Sequence, residues 1–95
     1  MQVRRSRLDI VLNVLSAVKG GVDKPTRIMY AANLSWRPIQ KILASMVEQG
    51  LLEEVTETGS KRSKRRYEIT EKGADVLRYF DNAKNLIDLD ILTKV

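Results

Sequence analysis

The hydrophobic period of this chain changes at Gly50. Upstream, Ile39, Leu43, Met46 and Val47 recur at helical spacing, with Ile42 at the edge of the stripe. Downstream, "LLEEVTE" reads as a strand, "TGSKRSKR" as a turn-rich loop, and in "RYEIT" Tyr67 and Ile69 alternate with Glu68, as in a return strand buried on one face. A chain of 95 residues has room for one core, because two halves would each bury too little surface to hold together. The expectation is one small α+β domain, mainly helical, with a single β-hairpin.

Two more helices precede the stripe. Ser6 with Asp9 three residues on is a capping box, and Leu8, Val11, Leu12, Leu15 and Val18 follow at helical spacing until Gly20-Gly21, which predicts a helix over about 7–19. Pro25 suits a first helical turn, Ile28, Met29 and Ala32 share one side, and Asn33 is an exit residue, giving a short helix over about 25–32. Ser35 is the candidate N-cap of the third helix, about 36–49, and Leu34 plugs the turn before it. Pro38, in its first turn, fixes the start.

What is missing narrows the chemistry. Neither cysteine nor histidine occurs, so disulfides, thiolate metal sites and the usual general base are excluded; no carboxylate constellation or phosphate loop stands in for them. No enzyme, metal, cofactor or small-molecule ligand is expected. No apolar run approaches the length of a membrane span, and the start of the chain has no small-residue cleavage site; a cytoplasmic protein with no membrane partner is expected.

Charge is concentrated. The chain has 17 Lys and Arg against 12 Asp and Glu, and five of the 17 lie in "KRSKRR", residues 61–66; the remainder balances. Such a run is a solvated loop, a targeting tag or a surface for phosphate. Its position decides: it forms the tip and return of a hairpin placed directly after a helix whose outer face is Arg37, Gln40, Lys41, Ala44, Ser45 and Glu48.

A short helix, a tight turn and a second helix with a polar outer face form a helix-turn-helix, and a hairpin after it is a wing. Leu34-Ser35 with Ile39 and Leu43, then "EQGLL" at 48–52, then "YEITEKG" at 67–73 resemble the winged-helix DNA-binding superfamily, over about Ser6 to Leu77. More narrowly, "TRIMYAANLS" and the long closing helix resemble the small basic archaeal proteins of the Sulfolobus chromatin type, homodimers joined by an antiparallel coiled coil. The resemblance implies a DNA-binding regulator or chromatin-associated architectural protein, nucleoid-associated, with the third helix in the major groove and the wing on the phosphate backbone. The alternative is a winged-helix adaptor for other proteins.

The candidate DNA contacts are Trp36, Arg37, Gln40, Lys41 and Ser45 on the third helix and Lys61, Arg62, Lys64, Arg65 and Arg66 on the wing, with Arg4, Arg5 and Arg27 as further phosphate contacts. Arg pairs with guanine through a two-pronged fork and Gln with adenine, whereas phosphate contacts position without reading sequence. Trp36 either packs under the turn, the favoured expectation, or presses on the sugar-phosphate backbone. If the strands alternate, Arg65 or Arg66 lies on the hairpin body rather than its tip.

The last segment, 71–95, has Thr70 as N-cap and predicts a helix to about residue 92, roughly 33 Å long at 1.5 Å per residue. Its apolar positions exceed what a small domain covers, so Leu77, Phe80, Ala83, Ile87 and Ile91 are expected to form a homodimer seam. Asp88 and Asp90 interrupt a strict heptad. Expected partners are double-stranded DNA and a second copy of the chain.

Overall fold

A computed structural model describes residues 6–57 and 64–87. The order is α1 (Arg7–Lys19), α2 (Pro25–Ala32), α3 (Trp36–Glu48), β1 (Leu52–Glu57), β2 (Lys64–Ile69) and α4 (Glu71–Leu86). The fold is the expected α+β one, helices around a two-stranded antiparallel hairpin in which Leu52 faces Ile69 and Glu57 faces Lys64.

The helix starts differ in their caps, and the difference has a cause. Ser6 and Asp9 form the reciprocal capping box, each side chain accepting from the other's amide. Thr70 accepts from the Gly73 amide at 3.0 Å. Ser35 occupies the N-cap position of α3 but makes no capping bond. In α1 and α4 the cap oxygen accepts a hydrogen bond from the third helical amide, and the third residue of α3 is Pro38, which has no N–H to donate.

Helix ends follow backbone chemistry. Asn33 closes α2 in the left-handed conformation (φ 55°) and Gly50 leaves α3 at φ 76°, a region that suits Asn and Gly. Between them, the Asn33 and Leu34 amides donate back to the carbonyls of Tyr30 and Met29, which makes the α2–α3 turn tight.

The core gathers one stripe from every element: Leu12, Leu15 and Val18 of α1, Ile28 and Ala32 of α2, Ile39, Leu43 and Met46 of α3, Leu52 and Tyr67 of the hairpin, and Leu77 of α4. Burial of each such side chain contributes on the order of 1.5–3 kcal/mol. The Tyr67 amide donates to the Asp23 carbonyl at 2.9 Å, which ties β2 to the loop between α1 and α2.

The end of α3 is joined to the start of α4. The Thr70 hydroxyl lies 2.6 Å from the Gly50 carbonyl and 3.0 Å from that of Leu51, and Lys72 Nζ donates to the Gln49 carbonyl at 2.7 Å. At Gly73 the approach is so close that a Cβ would stand 2.2 Å from the Leu51 carbonyl oxygen. Thr70, Lys72 and Gly73, which carried the family resemblance, are thus the residues of this joint.

Two expectations about the closing helix are corrected. Among the described residues α4 stops at Leu86, with Ile87 extended at φ −114° and ψ 124°, rather than running to about 92; residues 88–95 lie outside the described residues. The physical reason is legible: Asp88 and Asp90 would place negative charge at the negative end of the helix dipole, and "IDLDI" alternates with a period of two. Its 16 residues give a rod of about 24 Å. Leu77, expected in a dimer seam, is 6% exposed and belongs to this protomer's own core.

Candidate nucleic-acid interface

Helix α3 sorts its side chains cleanly. Ile39, Leu43 and Met46 are buried, whereas Arg37, Gln40, Lys41, Ala44, Ser45 and Glu48 are exposed. The outward face therefore offers two cations, one amide and one hydroxyl on a rigid element, with one carboxylate, Glu48, at its far end, and is held from beneath by three apolar residues. Among the described residues neither Arg37 nor Lys41 is held in an ion pair. Ser45 accepts from the Gln49 side-chain amide at 3.0 Å, so its hydroxyl hydrogen is turned elsewhere.

Trp36 is 42% exposed at the first residue of α3, not packed under the turn as expected. Leu34 takes the place beneath the turn, packed against the core. Arg27 is exposed on α2. Sequence reasoning passed over Tyr30, which is 74% exposed near the end of α2. The signal was available: Ile28 and Ala32 face inward, and a residue two positions from each lies on the opposite side of a helix.

The hairpin divides its arginines between two faces. Leu52, Glu54, Thr56, Arg65, Tyr67 and Ile69 share the core-side face, and Glu53, Val55, Glu57, Lys64, Arg66 and Glu68 the other. Arg65 Nη1 lies 3.8 Å from Glu54 Oε1. Arg66, half-buried, donates from Nη1 to Glu68 Oε1 at 2.7 Å, and its Nε sits 3.2 Å from Glu57 Oε1 without hydrogen-bond alignment. Both arginines thus face carboxylates from their own sheet.

Exposed pairs of this kind are worth about 0–1 kcal/mol, so they mute the charge more than they stabilise the hairpin. Lys64 is exposed and forms no ion pair with a described residue. Lys61 and Arg62, with Arg4, Arg5 and Ile91, lie outside the described residues. Burial pushes the Tyr67 phenol above its ordinary value; Arg65 opposes that shift and Glu54 adds to it.

On α4, Phe80 and Ala83 are half-buried, while Tyr79 is 70%, Leu86 87% and Ile87 49% exposed. Tyr79 and Phe80 meet edge to face with ring centroids 5.4 Å apart. The second half of α4 therefore carries apolar side chains that its own domain does not cover. Among the described residues no helix is long and apolar enough to cross a membrane, and no cluster of acidic side chains could hold a metal ion.

Comparison with known proteins gives this arrangement a setting. A protein of Methanocaldococcus jannaschii, MJ0287, is 34% identical over 70 residues, which cover 74% of this chain and 64% of that one. MJ0290 of the same organism is 28% identical over 90% of this chain but only 36% of its own length, so the chain spans less than two thirds of either relative. Among solved structures, Sso10a-2, a DNA-binding protein from Sulfolobus solfataricus, superposes with a TM-score of 0.70 at 26% identity, over 86% of this chain and 81% of that one. A mutant MepR of S. aureus superposes with a TM-score of 0.76 at 10% identity, over 92% and 65% of the two chains. The family model described as winged helix-turn-helix matches residues 4–88, nearly the whole length, and the chain belongs to that family.

Proposed function

We propose that the chain binds double-stranded DNA as a homodimer, with α3 in the major groove and the wing against the phosphate backbone. The observation that carries this reading is the outward face of α3, where Arg37, Gln40, Lys41 and Ser45 are exposed together and neither cation is held by a described carboxylate. Two cations with an amide and a hydroxyl can donate to guanine, adenine and phosphate alike. The likeness to a Sulfolobus protein described as DNA-binding supports the same conclusion.

The wing's share rests on Lys64 and on the basic residues Lys61 and Arg62, since Arg65 and Arg66 are engaged by Glu54, Glu57 and Glu68. Exposed Trp36 and Tyr30 flank the α2–α3 turn in sequence and add apolar surface beside Arg27 and Arg37 for a sugar-phosphate backbone. The role that follows is that of a transcription regulator or a chromatin-associated architectural protein, acting at the nucleoid.

Duplex binding across a salt series tests the reading. Log affinity falls linearly with log salt at roughly −0.9 per phosphate contact. Replacing Arg37, Gln40 and Lys41 together with Ala is expected to weaken binding at least about a hundredfold, at about 1–3 kcal/mol for each contact that reads a base. Affinity unchanged in that variant would remove α3 from the interface. Absence of duplex binding even at low salt would favour a protein-binding adaptor instead.

A further inference from the structure

A groove of about 790 Å³ opens between α1, α3 and α4. Its apolar lining includes Leu8, Val11, Leu34, Ile42, Met46 and Val76. Its charged lining residues are Arg7, Lys41 and Lys72, three cations with no carboxylate among them. None of the three makes an ion pair with a described residue. An occupant that suits this lining has aliphatic side chains on one edge and negative charge on the other.

The chain itself contains such a segment. Residues 87–92 read "IDLDIL", in which Ile87, Leu89 and Ile91 alternate with Asp88 and Asp90. Period two is the pattern of an extended strand, which separates the aliphatic from the acidic edge. Ile87 already has extended dihedrals where α4 ends. We propose that the α1–α3–α4 groove receives residues 87–92 of a second copy of the chain, aliphatic side chains inward and the two aspartates against Arg7 and Lys72, which leaves Lys41, at the α3 edge of the lining, to the outward face.

Reach selects the second copy over the same one. Val76 lines the groove near the start of α4, and 11 helical residues carry the chain about 16 Å away from it by Ile87. To return, Leu89 and Ile91 have only two and four residues beyond Ile87, at most about 7 and 14 Å. Neither regains the level of Val76. A neighbouring copy delivers the same segment without reversing it.

This assignment rests on the homodimer proposed above, and the experiment separates the two. The chain has no cysteine, so single ones can be placed at will. Full-length Val11→Cys and Leu89→Cys proteins, one bearing a size tag, are mixed, oxidised and run without reductant. A mixed disulfide several-fold more abundant than that between Ala44→Cys, on the exposed face of α3, and Leu89→Cys is the expected result. In parallel, sedimentation equilibrium of Asp88→Lys/Asp90→Lys is expected to show a dimer dissociation constant raised about tenfold, restored by adding Arg7→Glu/Lys72→Glu.

Equal cross-linking at Val11 and Ala44, with a dissociation constant indifferent to charge reversal in a protein that stays dimeric, overturns the groove assignment and leaves the dimer standing. A disulfide that forms only within one chain of a Val11→Cys/Leu89→Cys double variant also overturns it. A wild-type chain that is monomeric at every concentration removes the dimer, and the groove assignment with it.

Discussion

Arg66 holds the half of the basic hexapeptide that was not legible from composition. The run "KRSKRR" announces five positive charges, but the register that sets Glu57 opposite Lys64 brings a carboxylate from another strand to the same face. Strand alternation alone puts Glu68 on the face of Arg66, but Glu57 lies across a ladder whose register is fixed only on folding, so the sequence shows only part of the neutralisation. Glu57→Gln/Glu68→Gln is therefore expected to raise duplex affinity several-fold at low salt and to steepen the log–log salt slope by about one, as Arg66 becomes available to phosphate. Fluorescence anisotropy titrations would measure both. Lys64→Ala should weaken binding more than Arg66→Ala; the reverse order would mean that the ion pairs open on DNA. Tyr67 gives a second residue-scale expectation. Its phenol is raised above the ordinary value by burial, so the folded state holds the proton more tightly than the unfolded one. That stability is fully present below the unfolded-state value near 10 and is lost as pH rises through the folded-state value. Melting temperature should fall more steeply above about pH 10 in the wild type than in Tyr67→Phe.

At the scale of elements, helix starts were legible and one helix end was not. Ser6 and Thr70 cap as their sequence spacing demands, since each has a free amide at the third helical residue. Ser35 fails for a reason also written in the sequence, the missing N–H of Pro38. The end of α4 was misjudged because apolar residues at 86, 87 and 91 satisfy a helical period loosely; the stricter two-residue alternation of "IDLDI" and its unfavourable charge at a helix C-terminus outweigh them. The joint between α3 and α4 makes a sharp prediction. Gly73→Ala drives a Cβ into the Leu51 carbonyl, a backbone atom that cannot swing aside, and is expected to cost about 1–3 kcal/mol or more. Thr70→Ala removes the cap and both bonds to the α3 exit and should cost about 1–2 kcal/mol. Urea unfolding monitored through the single Trp36 would register both.

For the whole molecule, the fold was legible because every element contributes one apolar stripe to one core, and each stripe is visible as a period. The core-facing role of Leu77 was not, since a residue on a helix stripe can face its own domain or a neighbour, and only the packing of α4 on α1 decides. Past that residue Tyr79, Leu86 and Ile87 stay exposed, and they are the surface through which the proposed homodimer would form. Leu86→Glu, at a position 87% exposed, is expected to leave the thermal stability of the protomer nearly unchanged while shifting the sedimentation average toward monomer and roughly halving the salt slope of DNA binding.

The bonds from Thr70 and Lys72 to the carbonyls of Gln49, Gly50 and Leu51 tie the end of α3, the proposed reading helix, to the start of α4, the proposed dimer helix. A dimer built on such a hinge-free corner behaves as a caliper, with two jaws whose opening and azimuth are set before any duplex arrives. It should therefore sense the pitch of the double helix: moving two half-sites apart by five base pairs puts one jaw on the wrong side, and about ten bring it round again.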